Sequence, residues 1–241
     1  MRLAAGLVLG TLLALPAAAE EVAVDAGVWP YAAVGKLNVV LGANRRAFCS
    51  ATLIGPRLVL SAAHCLWDGP RARWVGPQSV HFVAGWRQGT YNAHAIAQRY
   101  VTGPGYTFGT APADFAKDWA LIALAEPVDL RPVPLADARA EAARHEIRRA
   151  GYSHARAERM SAQGNCAVED QAEPPLLMHD CRALPGESGS ALLRMGESGP
   201  AVVGVLVARR PEGTGARSLA VPVRSFRAEA ERMRAELSQA R

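Results

Sequence analysis

Short apolar or alternating segments recur along the chain between turn-forming residues, a pattern typical of proteins built from small β-sheets. Helical periodicity is missing from most of the sequence. The first half predicts six strands, near residues 34–40, 48–54, 58–61, 80–84, 94–101 and 119–124. The second half predicts six more, near residues 146–152, 162–168, 176–179, 190–194, 202–207 and 219–223. Two such sets indicate an all-β fold of two six-stranded antiparallel barrels, with a functional cleft between them.

A stretch punctuated by prolines, at positions 127, 132 and 134, separates the two sets of strands. We therefore expect one barrel over residues 20–126 and the other over 127–241. Four apolar residues near the end of the chain recur at helical spacing, with charged residues between them: Phe226, Ala230, Met233 and Leu237. This spacing predicts an amphipathic terminal helix. Because its charged face mixes signs, we expect the helix to cover a barrel face rather than bind a membrane.

Residues 1–19 have the layout of a signal peptide. Arg2 precedes an apolar stretch, which is followed by Pro16 and three alanines. The stretch is shorter than the roughly 20 residues of a membrane-spanning helix. We expect cleavage after Ala19, a mature chain that starts at Glu20, and a monomeric secreted or periplasmic protein without membrane attachment.

The formal net charge is +5, or +4 once the single charge of Arg2 is removed. The positive residues are scattered and form no basic stripe, which argues against a nucleic-acid binder. The chain carries an even number of cysteines, which in a secreted protein indicates two disulfides: Cys49, Cys65, Cys166 and Cys181. Sequence alone leaves their pairing open, although bridges between neighbours in sequence would contribute about 3 kcal/mol each.

Three separate segments carry the residue types that activate a serine nucleophile. A serine hydroxyl needs an imidazole as general base and a carboxylate that orients the imidazole. His64 follows small residues, Asp118 stands at the start of an apolar run, and Ser188 lies in Gly186-Glu187-Ser188-Gly189. Glycines on both sides of Ser188 permit a tight turn and leave backbone N–H groups available to an oxyanion.

These segments resemble the histidine, aspartate and serine motifs of trypsin-like serine peptidases, in the chain order of that family. The resemblance implies a chymotrypsin-like fold and a secreted endopeptidase whose triad is His64, Asp118 and Ser188. It also implies an oxyanion hole formed by the backbone N–H groups of Gly186 and Ser188. A protein or peptide would be the substrate, and no metal or organic cofactor would be needed.

The resemblance extends to a disulfide and to one branch of the family. Cys49 and Cys65 match the disulfide that braces the family's histidine. The segment from residue 179 to residue 190 is closest to the bacterial glutamyl-endopeptidase-like branch. That branch usually carries a histidine two residues after the glycine of its penultimate strand, where this chain has Leu206. Asp180 would select a basic substrate side chain and Arg182 an acidic one, unless either is simply a solvated loop charge.

The chain departs from the family in the residues that control activation. Trypsin-like enzymes often carry an aspartate before the nucleophile, which pairs with an amino terminus released by cleavage after a basic residue. Here that position is Glu187, and no lysine or arginine occurs between Arg2 and Lys36. We therefore expect activity without a tryptic activation step.

Two other functions compete with an active peptidase. A catalytically silent homologue would keep the fold and act as a binding protein, although the triad positions are all present. An esterase of the α/β-hydrolase fold would need its nucleophile before the acid and the histidine in the chain, which is not the order here. The other histidines show no zinc-ligand spacing and are expected to be structural: His81, His94, His145, His154 and His179. The tryptophans are scattered singly and are expected to serve packing: Trp29, Trp67, Trp74, Trp86 and Trp119.

Overall fold

The computed structural model describes residues 20–42, 44–109, 111–137, 146–209 and 217–239. The predicted signal peptide and His145 lie outside these residues. The fold class predicted from the sequence is confirmed, because the structure is mostly β with a closed six-stranded barrel, a second large sheet and a C-terminal helix. Within the described residues, no helix combines the length and apolarity needed to cross a membrane.

Six strands of the first half build the closed barrel. In chain order the strands of this half are β1 (Val22–Ala23), β2 (Val34–Gly42), β3 (Arg45–Gly55), β4 (Leu58–Ser61), β5 (Trp67–Asp68), β6 (Arg73–Trp74), β7 (Val80–Ala84), β8 (Ala93–Thr102) and β9 (Ala120–Leu124). The barrel closes in the order β2-β3-β4-β9-β8-β7, and each pair is antiparallel. All six strands predicted for the first half are therefore present. Their inward apolar side chains, such as Leu37, Leu53 and Phe82, are fully buried.

Three short strands and one helical turn of the first half were not predicted. β1 is a two-residue strand, β5 and β6 form a two-stranded hairpin, and α1 (Pro112–Phe115) is a single helical turn. None of them is long enough to show a period in the sequence.

The second half forms an eight-stranded sheet together with β1. Its own strands are β10 (Glu146–Gly151), β11 (Ser161–Gln163), β12 (Val168–Gln171), β13 (Leu176–His179), β14 (Ala191–Met195), β15 (Ala201–Ala208) and β16 (Ser218–Pro222). The sheet order is β1-β11-β10-β14-β15-β16-β13-β12. β1 thus lies in this sheet, paired with β11, although it precedes the barrel in the chain. The division of the chain at residues 126 and 127 remains a prediction.

One predicted strand of the second half is wrong. The expected strand at 162–168 is instead two strands, β11 and β12, which lie at different places in the sheet. Asn165 lies between them with a φ of 53°, in the left-handed region, so the backbone leaves the extended conformation there. Cys166 follows and forms a disulfide with Cys181.

The terminal helix α2 (Arg227–Gln239) covers one side of the barrel. Ala230 and Met233 on its inner face are fully buried, and the helix packs against β4 and β9. Phe226, just before the helix, lies with its ring centroid 5.9 Å from that of Trp119. The predicted amphipathic helix and its packing role are both present.

His179 on β13 is enclosed by the second sheet without a polar partner. Its side chain is fully buried, and neither ring nitrogen forms a hydrogen bond within the described part of the chain. Burial, together with the positive charge of Arg149, lowers the pKa of His179 to about 3. The imidazole therefore stays neutral in the folded protein at pH values where an exposed histidine is charged.

We expect this buried histidine to make the fold sensitive to acid. Between pH 6.5 and about 3 the unfolded chain takes up a proton at residue 179 that the folded chain does not. The free energy of unfolding should therefore fall with decreasing pH, by about 1.4 kcal/mol per unit from this group. Urea unfolding across that range should give a shallower fall for His179→Leu than for the wild type. The same change at the exposed His94 is the control, and parallel curves for His179→Leu and wild type would contradict the expectation.

Candidate active site

His64 is held by a short turn and a disulfide. It lies in a 3-10 turn, Ala63–Leu66, directly after β4. Its neighbour Cys65 is bonded to Cys49 on β3, with 6.1 Å between their Cα atoms. A ring nitrogen of His64 lies within 4.8 Å of both sulfurs. Because the sulfurs are bonded to each other, they are not the thiolates that a metal would require, and the disulfide instead braces the histidine.

Asp118 binds His64 through two hydrogen bonds. Oδ1 of Asp118 accepts a bond of 2.8 Å from the backbone N–H of His64, and Oδ2 lies 2.7 Å from its Nδ1. An ionised carboxylate only accepts hydrogen bonds, so Nδ1 carries the ring proton and Nε2 keeps a free lone pair. Asp118 is buried, whereas about a quarter of the His64 side chain, 24 %, is exposed. This geometry presents an oriented imidazole base at the surface.

Tyr106 lies beside the buried carboxylate and belongs to an aromatic cluster that sequence reasoning missed. Burial, followed by the charge of Asp118 and a hydrogen bond to it, raises the pKa of Tyr106. The Tyr106 ring lies 6.1 Å from Trp74, and Trp74 in turn lies 5.3 Å from Trp67. The β5–β6 hairpin brings Trp67 and Trp74 together, although they stand seven residues apart in the sequence.

The loop that carries Ser188 joins the barrel to the second sheet. The carbonyl of Ser188 accepts a 2.8 Å bond from the backbone N–H of Ser50 on β3. The next residue, Gly189, donates a 2.8 Å bond to the carbonyl of Leu206 on β15. Ser188 itself is half-buried. The candidate nucleophile thus stands where the two halves of the fold meet.

Gly189 lets this loop pass close to the segment that leads into His64. Its φ is 81°, and a Cβ atom at this position would lie 2.1 Å from the carbonyl oxygen of Ser50 and 3.2 Å from the backbone nitrogen of Ala62. Only glycine fits there. The Ser188 hydroxyl forms no hydrogen bond with the His64 ring among the described residues. Bonds of this kind are often long before substrate binds and shorten in the substrate complex.

Two backbone N–H groups in the loop are free to bind an anion. Within the described ranges, the N–H groups of Gly186 and Ser188 donate to no protein acceptor. The N–H of Glu187 between them instead donates to the carbonyl of Leu184 at 3.0 Å. Gly186 has a φ of 95°, a conformation that favours glycine. Two free donors beside a serine are the arrangement that binds an oxyanion.

Ser50 holds the loop that carries Ser188 through hydrogen bonds, a role that no sequence motif indicated. Its hydroxyl accepts a 2.8 Å bond from the backbone N–H of Tyr152 and lies 3.2 Å from the carbonyl oxygen of Gly186. Ser61 donates a 2.8 Å bond to the Ser50 carbonyl. These residues come from β3, β4 and the end of β10, so the contact depends on the tertiary fold.

Of the two residues considered for substrate selection, Asp180 serves local structure through its side chain and Arg182 through its backbone N–H. Asp180 is exposed, and its Oδ1 accepts a 2.7 Å bond from the backbone N–H of Ala167. The backbone N–H of Arg182 donates a 2.7 Å bond to the side chain of Gln163. The adjacent disulfide joins Cys166 and Cys181, whose Cα atoms are 5.2 Å apart. Asp180 therefore fixes the loop between β11 and β12.

Comparison with known proteins gives one family match. The family model described as Trypsin matches residues 22–228, which is most of the chain and includes every residue of the candidate site. No curated protein matches the sequence.

Proposed function

The chain belongs to the trypsin family of serine peptidases, and we propose that it is a secreted endopeptidase whose catalytic triad is His64, Asp118 and Ser188. The observation that carries this proposal is the pair of hydrogen bonds that Asp118 accepts from His64, at 2.8 and 2.7 Å. They leave the unprotonated Nε2 of a partly exposed imidazole as a base.

The proposed reaction proceeds through an acyl-enzyme. Nε2 of His64 takes the hydroxyl proton of Ser188 as the serine oxygen attacks the peptide carbonyl, and Asp118 stabilises the resulting imidazolium. The carbonyl oxygen becomes an oxyanion, bound by the N–H groups of Gly186 and Ser188. His64 then gives the proton to the leaving amine as the C–N bond breaks. A water molecule then gives a proton to His64 and attacks the ester carbonyl. His64 returns the proton to the Ser188 oxygen as the ester bond breaks, and the acid is released.

The oxyanion donors contribute a large share of the proposed rate. Loss of one such donor typically costs about 3 kcal/mol of activation free energy, close to a hundredfold in rate. The loop holds the donors through bonds from its neighbours Glu187 and Gly189 to Leu184 and Leu206, so substrate binding need not organise them.

Secretion and the family branch are further parts of the proposal. The layout of residues 1–19 supports cleavage after Ala19 and export of the mature chain. The sequence from residue 179 to residue 190 supports the bacterial glutamyl-endopeptidase-like branch. Leu206 stands where that branch carries a histidine, and so we assign no preference for glutamate; cleavage of a peptide library would define the preferred residue.

A fluorophosphonate probe tests the proposal against a catalytically silent homologue. The probe phosphonylates a serine only when a base and an oxyanion site activate it. We expect the folded, secreted protein to be labelled at Ser188, identified by peptide mapping, and to hydrolyse peptide substrates. The urea-unfolded protein is the control and should stay unlabelled. A folded protein that neither reacts nor cleaves any peptide of a library would be a silent homologue.

A further inference from the structure

We propose that Glu21, the second residue of the predicted mature chain, is a positioning residue for the oxyanion-binding loop and acts on it through Arg149 and Glu187. This inference rests on the proposed function. Glu21 acts through two other side chains and does not itself take part in catalysis.

Arg149 binds both glutamates at once. Its side chain is fully buried on β10, with Nη1 2.7 Å from Oε1 of Glu187 and Nη2 3.0 Å from Oε1 of Glu21. The Nε of Arg149 has no partner within the described residues. The guanidinium therefore depends on the two carboxylates for its hydrogen bonds, and loss of either leaves a buried cation incompletely paired.

Glu187 links this ion pair to the active-site loop. It directly precedes Ser188 and is fully buried. Its Oε2 accepts a 2.7 Å bond from the backbone N–H of Leu184, and its own N–H donates to the Leu184 carbonyl. The N–H of Ser188 lies in the peptide plane that joins residues 187 and 188. A rotation of Glu187 would therefore redirect that N–H and move Gly186 on the other side.

The partners of Glu187 matter because its burial is costly. Burial raises the pKa of Glu187 to about 7, and the neighbouring Glu21 adds to the rise, while Arg149 and the Leu184 N–H oppose it. A carboxyl in that environment keeps its geometry only while its few partners stay in place.

Glu21 is anchored more firmly than a residue near a chain end usually is. Its side chain is only 9 % exposed, and it accepts hydrogen bonds from Arg149 and from the Ser161 hydroxyl. Arg156 lies 3.3 Å from its other oxygen. Burial by itself would raise the pKa of Glu21, but the bonds from Ser161 and Arg149 outweigh it and lower the pKa. The following residues, Val22 and Ala23, pair with β11.

The four side chains form one connected set of two carboxyl and two guanidinium groups: Glu21, Arg149, Arg156 and Glu187. Glu21 belongs to the amino-terminal segment, which pairs with β11. The contacts that hold Glu187 beside Ser188 are therefore complete only when that segment is docked. No newly released ammonium group is needed, in line with the lack of basic residues between Arg2 and Lys36.

The test compares Glu21→Gln with Glu20→Gln in the secreted protein. Each change removes one negative charge, and the two positions are adjacent. Glu20 is exposed, whereas the Glu21 side chain is nearly buried. Hydrogen exchange monitored by mass spectrometry should be faster over residues 184–190 in Glu21→Gln and unchanged in Glu20→Gln. The kcat of Glu21→Gln for a peptide amide should fall by about 10- to 100-fold with KM within about twofold. Glu21→Asp, which keeps the charge, should recover part of the loss.

The two readouts separate this inference from the proposed function. If the wild type cleaves nothing but Glu21→Gln still accelerates exchange in the loop, the proposed function fails and the coupling of Glu21 to the loop stands. Unchanged exchange in Glu21→Gln would overturn the inference. It would also be overturned by faster exchange in an active enzyme whose kcat equals that of Glu20→Gln.

Discussion

Replacement of Ser188 by alanine is expected to lower kcat by about a millionfold while the free energy of unfolding changes little. The Ser188 oxygen is the atom that would attack the peptide carbonyl. In the proposed mechanism, no other group of the described structure can take its place. The loop is held by backbone bonds from Ser50 and to Leu206, which the substitution leaves intact. Turnover of a peptide amide and urea unfolding would measure the two quantities.

Ser190→Ala is the matched control, two residues further along the same loop. The Ser190 hydroxyl is buried and has no hydrogen-bond partner within the described residues, so its removal should leave kcat within a few-fold of wild type. Substantial proteolysis by purified Ser188→Ala, at a rate far above the uncatalysed one, would remove Ser188 from the proposed mechanism.

The sequence predicts the parts of this fold that are long and regular. The six barrel strands show short apolar or alternating runs between turns, and such runs identify strands without knowledge of their partners. The strands β1, β5 and β6 have only two residues each, which is too few to show a hydrophobic pattern. The single strand predicted at 162–168 failed because Asn165 adopts a positive φ, which the local composition does not require.

The candidate site likewise contains residues that the sequence predicts and residues that it does not. His64, Asp118 and Ser188 stand in local motifs that can be recognised one at a time, whereas their supporting residues cannot. Arg149 meets Glu187 across 38 positions and Glu21 across 128, and these contacts exist only because of the strand order in the second sheet. A buried cation must be paired, but the burial of Arg149 on β10 is visible only in the structure.

Replacement of Asp118 by asparagine is expected to lower kcat by about ten-thousandfold, through the tautomer of His64. The backbone N–H of His64 can only donate, so the carbonyl oxygen of the asparagine must stay on that side, where Oδ1 now accepts a 2.8 Å bond. The amide NH2 then faces Nδ1, which has to become an acceptor. The ring proton moves to Nε2, and the lone pair that would take the Ser188 proton is lost.

Nitrogen NMR of the His64 ring separates this explanation from simple unfolding. The wild type should show protonation at Nδ1 in the neutral imidazole, and Asp118→Asn should show it at Nε2. Asp129→Asn, the same change at an exposed aspartate, should alter neither the tautomer nor kcat. Because the lone pair of Nε2 is what would take the Ser188 proton, an asparagine variant that kept full activity with the ring proton on Nε2 would show that His64 is not the base.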